Sequence, residues 1–197
     1  HHAICDLAVC RSIPNLTVIC PADGLETYNA VHAAYDNFGP YYIRINRGFD
    51  RVLYENSDYG FEVGKAVTIN EGSDITVIAC GSCVFQAYQA AKFLETNDGL
   101  KVRVLNMHTI KPIDKEAIIK AVMDTRRIIT VEDHNVIGGL GSAVAEVLCE
   151  ACPVPMMRVG VEDSFGRSGK VPALLEYYGL TPANIAEKAR KAVSLKK

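Results

Sequence analysis

The chain opens on two histidines, His1 and His2, with no methionine in front. A neutral imidazole can donate a hydrogen bond to one oxygen and accept one from another. Two arginines, Arg44 and Arg47, close the run YYIRINRG. Arg47 falls where a strand leaves its sheet, the edge at which open α/β folds bind ligands. Arg44 lies three residues earlier on the same strand and so points to the opposite face. It reads as an ion-pair partner beneath the sheet.

Other spacings carry less. Cys80-Gly-Ser-Cys83 and Cys149-Glu-Ala-Cys152 are both C-x-x-C, the half-site spacing of a zinc site or a redox pair. They are far apart in sequence, and cysteines filling small apolar gaps explain them more simply. Gly138-Gly139-Leu140-Gly141 precedes a helix as a phosphate loop would, but lacks the G-x-G-x-x-G spacing. Close packing and a left-handed turn are the better reading of these glycines. Glu132, Asp133 and His134 end a strand at the same edge, where an interface or a capping network is the preferred reading. Ser82 is a helix N-cap by residue type.

The elements that must position these residues follow an alternating pattern. NLTVIC (15–20) reads as a strand. LETYNAVHAAYDN (25–37) reads as a helix whose Tyr28, Val31, His32 and Tyr35 share one face. YYIRI (41–45) is the next strand, and the polar stretch that follows has no period. From there FEVGKAVTI, DITVIAC, KVRVLNM, RRIITVED and VPMMRVGV read as strands. Helices over 81–95, 114–124, 141–151, 170–179 and 182–195 separate or follow them. Such alternation predicts an α/β fold of largely parallel sheets flanked by helices. Residues 62–197 suffice for a complete small domain. Residues 1–47, with two strands, look like the tail of a larger one, joined through a linker at 48–61.

With 49% apolar and 22% charged residues the composition is that of a globular protein. A formal charge of −2 gives no electrostatic case for nucleic acid or anionic lipid. No apolar run is long enough to span a bilayer, and nothing resembles a secretory leader. Seven cysteines, several inside apolar runs, suggest free thiols in a reducing cytoplasm.

Four stretches together carry a resemblance: HHAICDLAVCRSIPNLTVICPADGLE, PYYIRINRG, VEDHNVIGGLGSAVAE and FGRSGKVPALLEYYGLTPANIAEKA. In this order and spacing they resemble the C-terminal region of the transketolase family of thiamine-diphosphate enzymes. That family includes 1-deoxyxylulose-5-phosphate synthase and the β subunits of 2-oxoacid dehydrogenases. The resemblance implies a partial pyrimidine-binding domain (1–47) followed by a complete transketolase C-terminal domain (62–197). It implies that His1 contacts the donor sugar or its adduct, as a catalytic and substrate-binding residue, and that Arg47 binds a substrate phosphate. The match runs on from His1 without foreign residues, which argues against a tag remnant.

The diphosphate-binding G-D-G motif and the activating glutamate of the family are not among these residues. Thiamine diphosphate and its divalent metal, magnesium or calcium, are therefore expected in the complete enzyme and not on this chain alone. The implied function is ketol transfer between sugar phosphates, in partnership with the missing N-terminal part or an N-terminal subunit, in a homodimer. Two other readings stay open: the C-terminal part of a deoxyxylulose-phosphate synthase, and a non-catalytic assembly module.

Overall fold

The computed structural model describes residues 2–47, 51–56 and 58–194. Its elements are α1 (Asp6–Ser12), β1 (Thr17–Ile19), α2 (Gly24–Asp36), β2 (Tyr41–Ile43), β3 (Val67–Asn70), β4 (Ile75–Ala79), α3 (Cys83–Asp98) and β5 (Val102–Asn106). They continue with β6 (Thr109–Lys111), α4 (Lys115–Thr125), β7 (Ile128–Asn135), α5 (Leu140–Ala151), β8 (Met156–Val161), α6 (Val171–Tyr177) and α7 (Pro182–Ser194).

The apolar run at 75–79 is buried at every position because it lies mid-sheet with both faces covered. The strand order is β3-β5-β4-β7-β8. Within this five-stranded sheet every pairing is parallel except β3 with β5. Alternation splits β4 between two cores: Ile75, Val77 and Ala79 face α3 and α7, whereas Ile78 faces α4 and α5. The fold is α/β with largely parallel sheets flanked by helices, as the sequence predicts.

Differences begin in the first segment, whose strands the sequence leaves without flanking partners in this chain. Instead β1 is paired on both sides, with β2 in parallel and with β6 antiparallel. The three residues of β6 carry no readable period, and their neighbour is about 90 residues away (109 − 19 for the Ile19–Thr109 pair), so no local pattern announces them. Leu7, Val18 and Cys20 also complete the second core, beside Ile78, Leu105 and Leu140. Burying Leu7 and Val18 alone is worth about 3–6 kcal/mol. That is a large share of a domain's usual stability of roughly 5–15 kcal/mol, so the first segment is integral to the fold.

The structure also settles which way the shared face of α2 points. Tyr28, Val31, His32 and Tyr35 do share a face, but it points outward, and the exposed Phe38 continues it. The buried face carries Glu26 and Ala30 instead. The expected strand at 61–69 forms only from Val67; a turn held by Lys65 N–H donating to the Glu62 carbonyl (3.0 Å) precedes it.

Candidate functional site

Arg44 is the centre of the site's framework. Its guanidinium pairs with Asp6 (Nε to Oδ2, 3.1 Å) and donates to the Ala3 carbonyl at 2.7 Å. Tyr42 O–H donates to the same Asp6 oxygen at 2.7 Å. The side chains of the pair are only 12% and 13% exposed. The ion pair expected for Arg44 is thus present, and it fastens the start of the chain to the end of β2.

This fastening bears on both candidate residues. Arg47 is exposed, three residues beyond Arg44, on the chain leaving β2. His1 lies outside the described residues, two positions before Ala3 in sequence. Through the Arg44–Ala3 bond the sequence neighbours of the two candidates meet. A second contact joins this corner from the far end of the chain: a Cβ on Gly166 would lie 2.9 Å from that of His2. The F-G-R-S-G loop therefore lies against the start of the chain. Tyr178 O–H donates to the Phe165 carbonyl (2.9 Å), and Arg167 stacks 4.5 Å over Tyr177, which holds the loop there.

Behind the site, the glycine run at 138–141 is filled from within. Glu132 is buried and accepts from Leu140 N–H (Oε2, 2.7 Å) and Gly141 N–H (Oε1, 2.8 Å). A protein carboxyl thus occupies the N-terminus of α5, where a phosphate would have to sit. Burial pushes Glu132 up to about 7, against the pull of those two amides. Gly138 has φ +81°, and a Cβ there would lie 2.5 Å from that of Ala8. The glycines serve close packing and a left-handed turn, as the sequence suggests.

His134 completes this network. Its Nδ1 faces the Asn135 carbonyl at 2.6 Å, and Nε2 accepts from Ala8 N–H at 3.4 Å. That requires the neutral Nδ1–H tautomer. Burial also lowers the His134 pKa. Glu132 and His134 are thus a capping network tying α5 to α1. Arg11 reinforces it by donating to the Gly138 carbonyl (2.7 Å) and pairing with Glu146.

A further cluster goes beyond the sequence reading. Asp23 caps α2 by accepting from Glu26 N–H (2.9 Å), and Glu26 reaches back to Ala22 N–H (2.6 Å) in a capping-box arrangement. Glu26 is buried and also accepts from Asn106 Nδ2 (2.8 and 3.0 Å) and Tyr59 O–H (3.1 Å). Burial pushes it up to about 7. Asp23 takes two more bonds, from Leu53 N–H (2.9 Å) and Tyr54 N–H (3.0 Å). Tyr54 and Tyr59 stack with centroids 3.5 Å apart. The described part of the connecting stretch is therefore anchored to α2 and β5. Only the D-x-x-E spacing of PADGLE hints at it.

Ser82 takes the N-cap position of α3, but its side chain makes no capping bond. Among the described residues no three His, Cys, Asp or Glu side chains converge as a metal site.

A fold of this topology, with an arginine-bearing strand end set against the chain start, can be placed by comparison. Residues 64–185 match the transketolase C-terminal domain, and residues 1–51 match the transketolase pyrimidine-binding domain. The chain belongs to the transketolase family. It is 41% identical over 193 residues to a subunit of the apulose-4-phosphate transketolase of Phocaeicola vulgatus, covering 98% of this chain and 61% of that one. To the 1-deoxy-D-xylulose-5-phosphate synthase of Heliobacterium modesticaldum it is 37% identical, over 97% of this chain and 30% of that one. A split-gene transketolase solved as an inactive β4 tetramer superposes with a TM-score of 0.94 at 44% identity. That match covers 99% of this chain and 63% of the other. The chain thus spans about three fifths of the length of such subunit relatives.

Proposed function

We propose that this chain is the C-terminal part of a transketolase-type enzyme that moves a two-carbon ketol unit between sugar phosphates. The observation that carries this reading is the end-to-end match to split transketolase subunits, with both domain types in order. In this reading residues 1–47 are the end of the pyrimidine-binding domain, 48–61 connect, and 62–197 are the C-terminal domain. An N-terminal partner, as a subunit or as the front of the same chain, supplies the diphosphate and metal contacts, a reading supported by the match to one subunit of split transketolases. Thiamine diphosphate supplies the carbanion chemistry when bound.

This chain's own residues act at the substrate end. Arg44, neutralised by Asp6, holds the chain start, and His1 bonds the hydroxyls of the donor sugar. Arg47, exposed at the strand end, keeps its planar fork for a substrate phosphate. The complete enzyme works as a dimer in the cytoplasm.

The test is Arg47→Ala in the complete enzyme. Loss of a charge-assisted phosphate contact costs about 2–4 kcal/mol and raises KM for phosphorylated sugars. Hydroxypyruvate, which has no phosphate, should lose far less. Equal losses on both would assign Arg47 to structure. Turnover of pyruvate with glyceraldehyde 3-phosphate, in place of ketose phosphate, would favour the synthase reading that the second relative supports.

A further inference from the structure

Two strands deliver a cysteine to the place where the two sheets abut. Cys20 follows β1 and Cys80 follows β4, and each is 1% exposed. Their backbones are tied together. Cys20 N–H donates to the His108 carbonyl (2.7 Å), and the Cys20 carbonyl accepts from Gly81 N–H (3.1 Å). Gly81, at φ +58°, lets the sulfur in: a Cβ there would lie 2.9 Å from Cys20 Sγ.

The neighbouring thiol in sequence packs in the other core. Cys83 packs in the core beneath α3 and α7, whereas Cys20 and Cys80 both pack in the core on the opposite face. The C-x-x-C motif at 80–83 is therefore split between two cores, and the true neighbour of Cys80 comes from β1.

Charge supports the same pairing. The Cys80 thiol, then Arg44, are the neighbours that lower the pKa of Cys20 against its burial, while Asp133 opposes them. The same contact, with burial, raises Cys80. Cys20 is thus favoured over Cys80 as the nucleophile, with a second thiol beside it to resolve it.

We propose that Cys20 and Cys80 form a reversible disulfide site, oxidised by a small hydroperoxide, that staples β1 to β4. The Cys20 thiolate attacks the terminal oxygen of ROOH. The O–O bond breaks, and Cys20 becomes a sulfenic acid. The departing alkoxide takes from solvent the proton that Cys20 had given up, and leaves as ROH. Cys80 sulfur then attacks the Cys20 sulfur. The S–OH bond breaks, and the hydroxide leaves as water with the Cys80 proton. In balance, two thiols and one ROOH give one disulfide, ROH and water.

Hydrogen peroxide, a water-sized oxidant, reaches the pair when the segment from Ala3 to Asp6 opens. Arg44 lies between that segment and Cys20 and is bound to both Ala3 and Asp6. Oxidation should therefore quicken when Asp6→Asn loosens the cover.

The experiment is to treat the purified protein with hydrogen peroxide, denature it, alkylate the remaining thiols and map the peptides without reduction. The expected result is a cross-linked peptide joining Cys20 to Cys80. It is accompanied by an intact mass lower by two hydrogens, and a thiol reductant reverses both. Cys83→Ser should leave the bridge intact. Cys20→Ser should leave Cys80 alkylatable. Should Cys20→Ser fail to fold, the wild-type and Cys83→Ser maps still decide. The proposal is overturned if Cys20 and Cys80 stay alkylatable while the exposed Cys5 and Cys149 oxidise. It is equally overturned if the bridge joins Cys80 to Cys83.

Discussion

Replacing Gly139 by alanine isolates the role of the glycine run. Its φ of −83° is open to any residue, so the substitution adds a methyl group without left-handed strain. That methyl would meet Glu132 Oε2, and its next neighbours are His134 Nδ1 at 2.6 Å and Glu132 Cδ at 2.9 Å. The carboxyl cannot swing aside into solvent, because Glu132 and His134 are both 0% exposed. It must leave the α5 N-terminus and give up its bonds to Leu140 and Gly141. At roughly 1 kcal/mol per bond to a neutral acceptor and 1.5–3 to a charged one, Gly139→Ala should cost about 2–5 kcal/mol. Urea unfolding at equilibrium measures this. Glu132→Ala removes the same bonds, so the double variant should cost little more than either single one, a clear departure from additivity. If Gly139→Ala unfolds within about 0.5 kcal/mol of wild type, the cradle is not rigid and the reasoning fails.

Stability should also depend on pH through the two buried carboxyls. Burial raises Glu26 and Glu132 to about 7 from ordinary values near 4.5. A folded pKa above the unfolded one means that the native state binds the proton more tightly. The resulting stability is complete below about pH 4.5 and is lost as pH rises through about 7. The urea midpoint should thus fall between about pH 5 and pH 8, and Glu26→Gln should flatten the fall; a midpoint that rises instead refutes the assignment. Tyr59→Phe keeps the stack on Tyr54 but loses the bond to Glu26, which should cost about 1 kcal/mol. Amide exchange should then speed up around Leu53, Tyr54 and Tyr59, and unchanged protection there would mean the stack alone anchors the stretch. Asp6→Asn breaks the largely buried pair with Arg44 and should cost about 2–3 kcal/mol. It should also free the chain start to proteolysis, and resistance equal to wild type would count against Arg44 as the fastener.

What depends on local runs is legible in the sequence, and what depends on distant neighbours is not. β4 and α3 can be read because an apolar run and a helical stripe meet their own core on the spot. The inner face of α3 is an example: of Val84, Ala87, Tyr88 and Ala91, which share it by spacing, all are buried except the half-buried Tyr88. For α2 the same spacing does not decide the orientation. A stripe of Tyr28, Val31 and Tyr35 has the period of a core-facing helix, yet periodicity cannot say whether the stripe faces this chain's core or outward. The burial of Glu26 is unreadable for the converse reason, since its partners Asn106 and Tyr59 come from elsewhere in the chain. Arg47 can be placed at a strand end from the run before it. The fastening of the chain start by Arg44 to Asp6 and Ala3 needs the fold.

The shared sheet has a consequence for synthesis. Ile19 in β1 pairs with Thr109 in β6, a separation of 109 − 19 = 90 residues. At roughly 5–20 residues per second, a ribosome needs about 5–20 s to make that length, before the exit tunnel is counted. For that interval Val18 and Ile19 have β2 as a neighbour but nothing on their other edge. The β1 segment emerges well before the strand that completes its edge, so the nascent chain depends on being shielded while it waits.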